Sequence, residues 1–600
     1  MAKDPDARAP MDAIETPVGD RPNRPQFGSD VAALCLGALD IPYIALNPGA
    51  SYRGFHDSLV NFLGNRAPRM LLCLHEEHAV AIAHGYAKVT GKAMAAAVHS
   101  NVGLMHATMA IFNAWCDRMP VLVIGATGPL DATRRRPWIE WIHTARDQGA
   151  LVRDYTKWDD QPASAAAVPE SFARAKWLAE TVPQGPVYVN LDAGMQEGAL
   201  DAPVVLPDFA RLMPATDTGA GSRAIADAAA LIRAARSPVF LMGRVTRSPD
   251  AWRARVALAE ALGARVLTDL KVGAAFPTDH PLHAGVPGVY PSPEAARAVR
   301  DADLIVSFDW TDLDGTFAKI FDTDRPAAKI IQISPDHQVH NGWSMDYQAL
   351  PPADLMIAAG PDTVVPDLCA ALDIPLPDAG PLPRPPVTPG DALPETVEEL
   401  TVAHVAAALR RALAGERVSL SHLPLSWDGG YWPLRHPLDF LGSDGGGGVG
   451  AGPGVTVGAA LALKDTDTMV VGICGDGDFL MGLTSVWTAC HYRLPLLIVV
   501  VNNRSFYNDE VHQERVANQR GRPPENKWIG QRMSDPDIDL SALASAQGAE
   551  GFGPVRSVEQ LTDSLARAAE VVRAGGVAVV DVHVATGYTP AFQAALKSDD

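Results

Sequence analysis

The sequence predicts an α/β protein built from three doubly wound, parallel-sheet domains. Short apolar runs rich in β-formers alternate with longer Ala-rich stretches of helical period, the pattern of strands buried between two helix layers. This pattern occurs three times along the 600 residues, and a chain of this length is long enough for two to four domains. Each predicted domain therefore has a core of its own.

The runs that predict strands fall into three groups separated by polar or proline-rich stretches. In the first group they are "PYIALNPGA", "MAAAVHS", "MPVLVIGA" and "GPVYVNLDAG"; in the second, "SPVFLMG", "ARVLTDL", "ADLIVSFDW" and "AKIIQIS"; in the third, "TMVVGICGDGDF", "LPLLIVVVNN" and "GVAVVDVHVA". These groups predict domains at 27–195, 215–374 and 397–600. The stretches outside them are predicted to be a flexible N-terminal tail at 1–26 and a semi-rigid proline-rich linker at 375–396.

Composition narrows the class of protein. Fifty Lys and Arg against seventy Asp and Glu give a net charge of −20, so a nucleic acid backbone would be repelled. The six cysteines show no CxxC spacing and lie mostly in apolar runs, which favours reduced thiols in the cytoplasm. No run is long enough to cross a membrane, and residues 1–26 lack the apolar core of a signal peptide. We expect a small-molecule substrate.

The strongest motif is Gly475-Asp476-Gly477 at the end of one strand, followed by a helical stretch and a second strand ending at Asn503. Parallel strands bring both carboxyl ends to the same edge of a sheet, where ligands bind. A carboxylate, an amide oxygen and a nearby backbone carbonyl suit a hard divalent cation that also holds a diphosphate. The glycines let backbone N–H groups approach phosphate oxygens. Taken alone, the Gly-Asp-Gly turn or the turn at Asn503 is typical of an ordinary strand end. The two together at this spacing favour a metal and diphosphate site.

Two further segments complete the pattern. "LHEEHAVAIAHGYAKVTGK" places Glu76 at the start of a predicted helix, and "DGGGGVGAGPGVTVGAALALK" is a glycine-rich loop that leads into another helix. By themselves, these segments also fit a solvated acidic helix start and a flexible turn.

Together the three segments resemble thiamine-diphosphate enzymes of the acetolactate synthase and pyruvate decarboxylase superfamily. The resemblance implies thiamine diphosphate and Mg²⁺ as cofactors. Asp476, the side chain of Asn503 and the main-chain carbonyl of Ser505 would bind the metal, with Gly475 and Gly477 beside the diphosphate. In this family the active site forms between the first domain of one subunit and the third domain of another, which implies a homodimer or homotetramer.

The same resemblance assigns roles around the organic part of the cofactor. Glu76 would hold a proton at N1′ of the aminopyrimidine, so that the 4′-amino group can remove the C2 proton. Val449 would lie under the two rings, where the family usually has a larger side chain, and the Gly447 carbonyl would accept from the 4′-amino group. The middle domain of the family holds FAD, ADP or nothing. Because G-x-G-x-x-G is absent here, we expect a structural domain with a vestigial nucleotide pocket.

The segment "VHSNVGLMHATMAIFNAW" is similar to the active-site segment of benzoylformate decarboxylases and implies that His99 relays protons to the covalent intermediate. A hydrogen-bonded histidine at a strand end remains the alternative. Asp509 stands where pyruvate-type decarboxylases have a glutamate. The sequence departs from the benzoylformate enzymes at Ala50, which takes the place of a catalytic serine, although Ser51 is adjacent.

These residues predict a lyase or carboligase that acts on a 2-oxo acid, releases CO₂, and then protonates the carbanion or joins it to an acceptor carbonyl. Acetolactate-synthase-like condensation is one alternative. Cleavage of a 2-hydroxyacyl-CoA is another, since arginines follow Asn503 in a charged loop. An inactive regulatory homologue is the non-enzymatic alternative, and the retained Glu76, Asp476 and Asn503 argue against it.

Overall fold

The computed structural model describes residues 11–215, 219–322, 324–336 and 349–588. Within them lie three sheets whose paired strands all run parallel, with helices between most successive strands. This confirms the predicted fold class. The first ten residues of the predicted tail and the last twelve of the predicted third domain lie outside the described residues.

The first sheet has six strands in the order β2-β1-β3-β4-β6-β5. The strands are β1 (Tyr43–Leu46), β2 (Arg69–Leu72), β3 (Met94–Val98), β4 (Val121–Thr127), β5 (Asp159–Asp160) and β6 (Val187–Asp192). The helices around it are α1 (Gly28–Ala38), α2 (Arg53–Asp57), α3 (Glu76–Thr90), α4 (Ser100–Cys116), α5 (Ile139–Ile142), α6 (Val168–Glu180), α7 (Ala193–Glu197) and α8 (Phe209–Leu212).

The second sheet has five strands in the order β11-β10-β9-β7-β8. The strands are β7 (Pro238–Met242), β8 (Arg265–Leu267), β9 (Leu304–Phe308), β10 (Lys329–Ile333) and β11 (Leu355–Ile357). The helices are α9 (Ser222–Ala234), α10 (Pro249–Leu262), α11 (Pro293–Arg300), α12 (Leu313–Phe321) and α13 (Pro361–Ala371). Residues 372–401, all of them described, include the predicted linker and contain no helix or strand.

The third sheet has five strands in the order β12-β13-β14-β16-β15. The strands are β12 (Arg417–His422), β13 (Thr468–Gly475), β14 (Leu496–Asn502), β15 (Glu550–Val555) and β16 (Val577–His583). The helices are α14 (Val402–Ala412), α15 (Ala451–Leu463), α16 (Asp476–Gly482), α17 (Ser485–Tyr492), α18 (Tyr507–Gln519), α19 (Leu540–Ser545) and α20 (Val558–Arg573).

The first and third domains pack directly through α3 and α15, because glycines let these two helices approach closely. A Cβ atom at Gly85 would lie 2.2 Å from the Val455 carbonyl oxygen, and one at Gly458 would lie 2.0 Å from the Ile82 carbonyl oxygen. A side chain at either position would force the helices apart. This packing fixes the start of α3 against the third domain.

The start of α3 is also tied to the third domain by one histidine. His78 Nε2 lies 3.1 Å from the Met481 carbonyl oxygen, and its Nδ1 lies 2.7 Å from Thr484 Oγ1. Met481 lies on α16, the helix that begins with the sequence-predicted metal ligand Asp476. The two helix starts that carry the predicted carboxylates are therefore positioned relative to each other. No helix among the described residues has the length and apolar character needed to cross a membrane.

Candidate active site

Asp476 is the first residue of α16 and follows β13 directly, so its carboxylate lies at the carboxyl edge of the third sheet. It is buried, and its oxygens accept hydrogen bonds from the backbone N–H groups of Gly477, Arg504 and Ser505. Burial raises the pKa of the Asp476 carboxyl above its usual range, although these N–H groups act in the opposite direction. No cationic side chain among the described residues pairs with it, so this buried carboxylate suits a metal cation.

The turn after β14 brings the second predicted ligand to the same place. Two asparagine side chains hold the backbone of this turn. The Ser505 N–H donates to Asn503 Oδ1 at 2.9 Å, and the Arg504 N–H donates to Asn502 Oδ1 at 3.1 Å. Arg504 has a left-handed φ of 59°, which bends the chain back toward Asp476. The structure therefore brings together all three residues predicted as metal ligands.

The predicted diphosphate glycines lie at the start of α16. A Cβ atom at Gly475 would meet nothing within 4 Å, so the surface at this helix start is open. A Cβ atom at Gly477 would lie 2.7 Å from the Phe506 ring, so this position has no room for a side chain. An open glycine surface and the N–H groups of a helix start are the features that an anionic diphosphate requires.

The glycine-rich loop before α15 is anchored on Asp478, a residue that sequence reasoning did not single out. Asp478 Oδ1 accepts from the backbone N–H groups of Gly450 at 2.7 Å and Gly452 at 3.3 Å. Burial acts to raise the pKa of Asp478, but the neighbouring His422, 3.2 Å away, and these N–H groups hold it below its usual range. Asp478 thus fixes where the loop ends and where α15 begins.

Gly447 and Val449 lie in that loop, on the exposed side. Gly447 has a left-handed φ of 69°, and its N–H donates to Asp444 Oδ1 at 2.9 Å. Val449 is 47% exposed, which is high for a large apolar side chain and leaves its surface available to a ligand or to another subunit. The roles assigned to these two residues stay predictions.

Glu76 is the first residue of α3 and is buried. Its Oε2 atom lies 3.1 Å from Nδ1 of His106, a residue of α4 that sequence reasoning missed. Gly103, one turn earlier on α4, faces the other carboxylate oxygen. The sequence carries no signal for His106, because its approach to Glu76 depends on how α4 packs beside α3.

His99 precedes α4 and lies against Ser51 and His143. The Ser51 hydroxyl lies 2.9 Å from His99 Nδ1, and the Ser51 backbone N–H points at the same nitrogen from 3.4 Å. The His143 ring packs edge-on at a centroid distance of 4.8 Å. Burial, and then the nearby His143, lower the pKa of His99. His99 is therefore neutral near pH 7, with Nδ1 as the hydrogen-bond acceptor.

Asp509 lies on the first turn of α18, and its side chain is exposed. The adjacent Glu510 is fully buried; it accepts from Ser505 Oγ at 2.6 Å and from Arg532 Nε at 3.0 Å. No hydrogen bond among the described residues joins Asp509 to His99 or to Glu76. Its proposed role as a proton donor stays a prediction, whereas Glu510 clearly supports the turn that carries Ser505.

A cavity of about 560 Å³ lies between the first and middle domains. Basic side chains from both domains line it, including Lys88, Arg118, Arg244 and Arg247. All four are already engaged. Arg118 and Arg244 both bind the Asp336 carboxylate. Arg247 donates to the Lys88 and Leu441 carbonyl oxygens, and Lys88 pairs with Asp117. The structural role predicted for the middle domain stays a prediction.

Three family profiles match the chain in order: the N-terminal TPP binding domain of thiamine pyrophosphate enzymes at residues 27–151, the central domain at 225–359, and the C-terminal TPP binding domain at 426–582. The chain therefore belongs to the thiamine pyrophosphate enzymes, as its sequence motifs predict, and thiamine diphosphate is the cofactor of this family.

Known relatives include both reaction types weighed above. The chain is 26% identical over 573 residues to a probable acetolactate synthase large subunit of Methanocaldococcus jannaschii, with 90% of each chain covered. It is 26% identical over 456 residues to the benzoylformate decarboxylase of Pseudomonas aeruginosa, covering 73% of this chain and 79% of the relative. The benzoylformate decarboxylase structure from Polynucleobacter necessarius has the same fold, with a TM-score of 0.76, 22% identity, and coverage of 94% and 100% of the two chains.

Proposed function

We propose that this protein is a thiamine-diphosphate- and Mg²⁺-dependent lyase or carboligase that acts on a 2-oxo acid. The observation that carries the proposal is the buried Asp476 carboxylate, held by the turn of Asn503 and Ser505 without a cationic side-chain partner among the described residues. In this proposal the Asp476 carboxylate, the Asn503 side chain and the Ser505 carbonyl bind Mg²⁺. The open surface at Gly475 would leave room for the diphosphate, and Gly477 would lie beside it at the helix start.

Glu76 holds the proton that activates the cofactor. Its carboxyl group is held at the start of α3, and a positioned carboxyl group can exchange a proton with a ligand nitrogen. Gly447 offers its carbonyl to the cofactor amino group, and Val449 supports the rings. When bound, thiamine diphosphate supplies the electron sink for the carbanion that remains after CO₂ leaves.

His99 delivers a proton to that carbanion. Because Ser51 faces Nδ1, the hydrogen of the neutral ring resides on Nε2, which is the atom able to donate. Asp509 is the second proposed proton donor, although its side chain is exposed in this single chain. Protonation releases an aldehyde, and transfer to an acceptor carbonyl instead gives a ligated 2-hydroxy ketone.

Acetolactate-synthase-like condensation is the second candidate, and the similarity to the Methanocaldococcus protein over 90% of both chains favours it. The two candidates differ in product. Incubation with pyruvate would release CO₂ in both cases, together with acetolactate in the second and with free aldehyde in the first.

We further propose a homodimer or homotetramer, in the cytoplasm, with a partner subunit over the active-site face. Large apolar side chains are exposed on both domains there: Leu74 and Met105 on the first, Val449 and Met481 on the third. Exposed apolar side chains gathered around one site are typical of a surface that another molecule covers.

The test is a screen of aliphatic and aromatic 2-oxo acids for CO₂ release in the presence of thiamine diphosphate and Mg²⁺. We expect release with at least one acid, and a loss of about 10²–10⁴-fold in the Glu76→Gln variant. Absence of CO₂ from every 2-oxo acid, in a protein that binds the cofactor, would contradict this function.

A further inference from the structure

The two oxygens of the Glu76 carboxylate have different surroundings. Oε2 lies 3.1 Å from Nδ1 of His106, whereas a Cβ atom added to Gly103 would lie 2.9 Å from Oε1. No side chain or backbone N–H among the described residues donates to Oε1. The α4 face thus donates to Oε2, whereas Oε1 fills the space that a side chain at position 103 would take and keeps no donor among the described residues.

The His106 ring is held in place by a second histidine. His75 stacks on it at a centroid distance of 5.1 Å, with the ring planes 18° apart. His75 is itself fixed, because it caps α3 and its Nδ1 accepts the Glu77 N–H at 3.2 Å. The plane of His106, and with it the direction of Nδ1, therefore follows from the start of the helix that carries Glu76.

The chemistry of the contact sets the direction of the hydrogen bond. An ionised carboxylate only accepts, so His106 must donate, and a neutral imidazole that donates from Nδ1 has no hydrogen on Nε2. A hydrogen bond to the charged form favours the carboxylate at Oε2. A proton that Glu76 shares with a ligand is then best placed on Oε1.

We propose that His106 is a positioning residue for Glu76: its Nδ1–H holds Oε2 and presents Oε1 to N1′ of the aminopyrimidine. The inference rests on the proposed function and deepens it, because it assigns separate tasks to the two oxygens. His106 acts through Glu76 and exchanges no proton with the cofactor.

The matched variants are His106→Asn, His106→Gln and His106→Ala. The Asn side-chain nitrogen occupies about the position of Nδ1, the Gln nitrogen about that of Nε2, and Ala removes the donor. Thr108→Ala on the same helix is the control, since Thr108 is partly exposed and its hydroxyl bonds only to the Met105 carbonyl among the described residues.

The first measurement uses the cofactor-free protein and so does not depend on the proposed function. Nitrogen-15 NMR of the histidine rings should show His106 in the Nδ1–H tautomer, and Glu76→Ala should abolish that preference. An Nε2–H tautomer in the wild-type protein would overturn the proposal.

The second measurement is hydrogen–deuterium exchange at C2 of thiamine diphosphate with Mg²⁺ and no substrate. We expect near-wild-type exchange in His106→Asn and Thr108→Ala, and a loss of up to about 10²-fold in His106→Ala and His106→Gln, the scale of a misplaced reactive group. Cofactor affinity should change little in all four. Wild-type exchange in His106→Ala would overturn the proposal. If the wild-type protein binds the cofactor but does not exchange its C2 proton, the proposed function is wrong, and so is the role of Oε1 toward N1′. The His106 tautomer would still show whether Nδ1–H donates to Glu76.

Discussion

Ser51 Oγ lies 2.9 Å from Nδ1 of His99, so the fold pairs a hydroxyl with the histidine that the sequence singles out. The resemblance to benzoylformate decarboxylases places Ala50 where those enzymes have a catalytic serine, and the structure shows that the neighbouring Ser51 brings a hydroxyl to His99. Close passage of the backbone makes this contact specific, because a Cβ atom at Gly49 would lie 2.2 Å from His99 Cγ. Variants should therefore test Ser51 and His99 together rather than His99 alone.

Replacing His99 with Ala should slow aldehyde release by about 10²–10⁴-fold, since it removes the proposed donor. Ser51→Ala should cost less, about fivefold, because it removes one hydrogen bond worth about 1 kcal/mol while the backbone N–H of residue 51 still points at Nδ1. CO₂ release should fall less than aldehyde release in both, and ligated product should rise when an acceptor aldehyde is added. Equal slowing of CO₂ and aldehyde would argue against a role in protonation.

Asp509 and Glu510 form a matched pair of neighbouring carboxylates with different predicted effects. Asp509→Asn should slow aldehyde release more than CO₂ release and leave cofactor binding unchanged. Glu510→Gln should weaken Mg²⁺-dependent cofactor binding, because Glu510 supports Ser505 and Arg532 from a fully buried position. Titration calorimetry and product analysis separate the two. If Asp509→Asn releases aldehyde at the wild-type rate, Asp509 is not a proton donor.

Gly458→Ala should destabilise the contact between the first and third domains. The added methyl group would collide with the α3 backbone at the Ile82 carbonyl oxygen, and overpacking of this kind costs about 1–3 kcal/mol. Gly219→Ala is the control, since nothing lies within 4 Å of its Cβ position. Thermal unfolding should show a lower midpoint for the first variant only. An unchanged midpoint would mean that the two helices adjust without cost.

Stability of the middle domain should fall in acid because of His283. Burial lowers the pKa of His283 from 6.5 to about 4, so between these values the unfolded chain takes up a proton that the folded protein does not. The stability that comes from the neutral His283 is fully present above pH 6.5 and is lost as the pH falls toward about 4. The urea midpoint of His283→Gln should therefore drop less than that of the wild type between pH 7 and pH 5. Parallel pH dependence in the two proteins would contradict this assignment.

The sequence predicted central strands well and edge strands poorly. Every apolar run interpreted as a strand is one, but β2, β5, β11, β12 and β15 were not predicted, and each lies at the edge of its sheet. Central strands such as β4 and β14 are buried along their whole length and so are continuously apolar. Edge strands such as β5, which is only Asp159–Asp160, carry no such signal.

The site was predictable where one short motif carries both the residue and its position. Gly475 and Asp476 stand at a strand end and a helix start, and Glu76 opens a helix, so sequence alone located them. His106, Ser51 and His143 come from other turns and loops, and only the packing of α4 and the following loop brings them to the site. Their positions depend on tertiary contacts that no local pattern encodes.

The proposed function depends most directly on the binding of a metal and a diphosphate at Asp476. Titration calorimetry of thiamine diphosphate, with and without Mg²⁺, should compare the wild type with Asp476→Ala, using Asp465→Ala as a control because Asp465 is exposed and pairs only with the adjacent Lys464 among the described residues. We expect Mg²⁺-dependent binding in the wild type and the control, and none in Asp476→Ala, since the diphosphate would lose its bridging cation. Unchanged Mg²⁺-dependent affinity in Asp476→Ala would contradict the account.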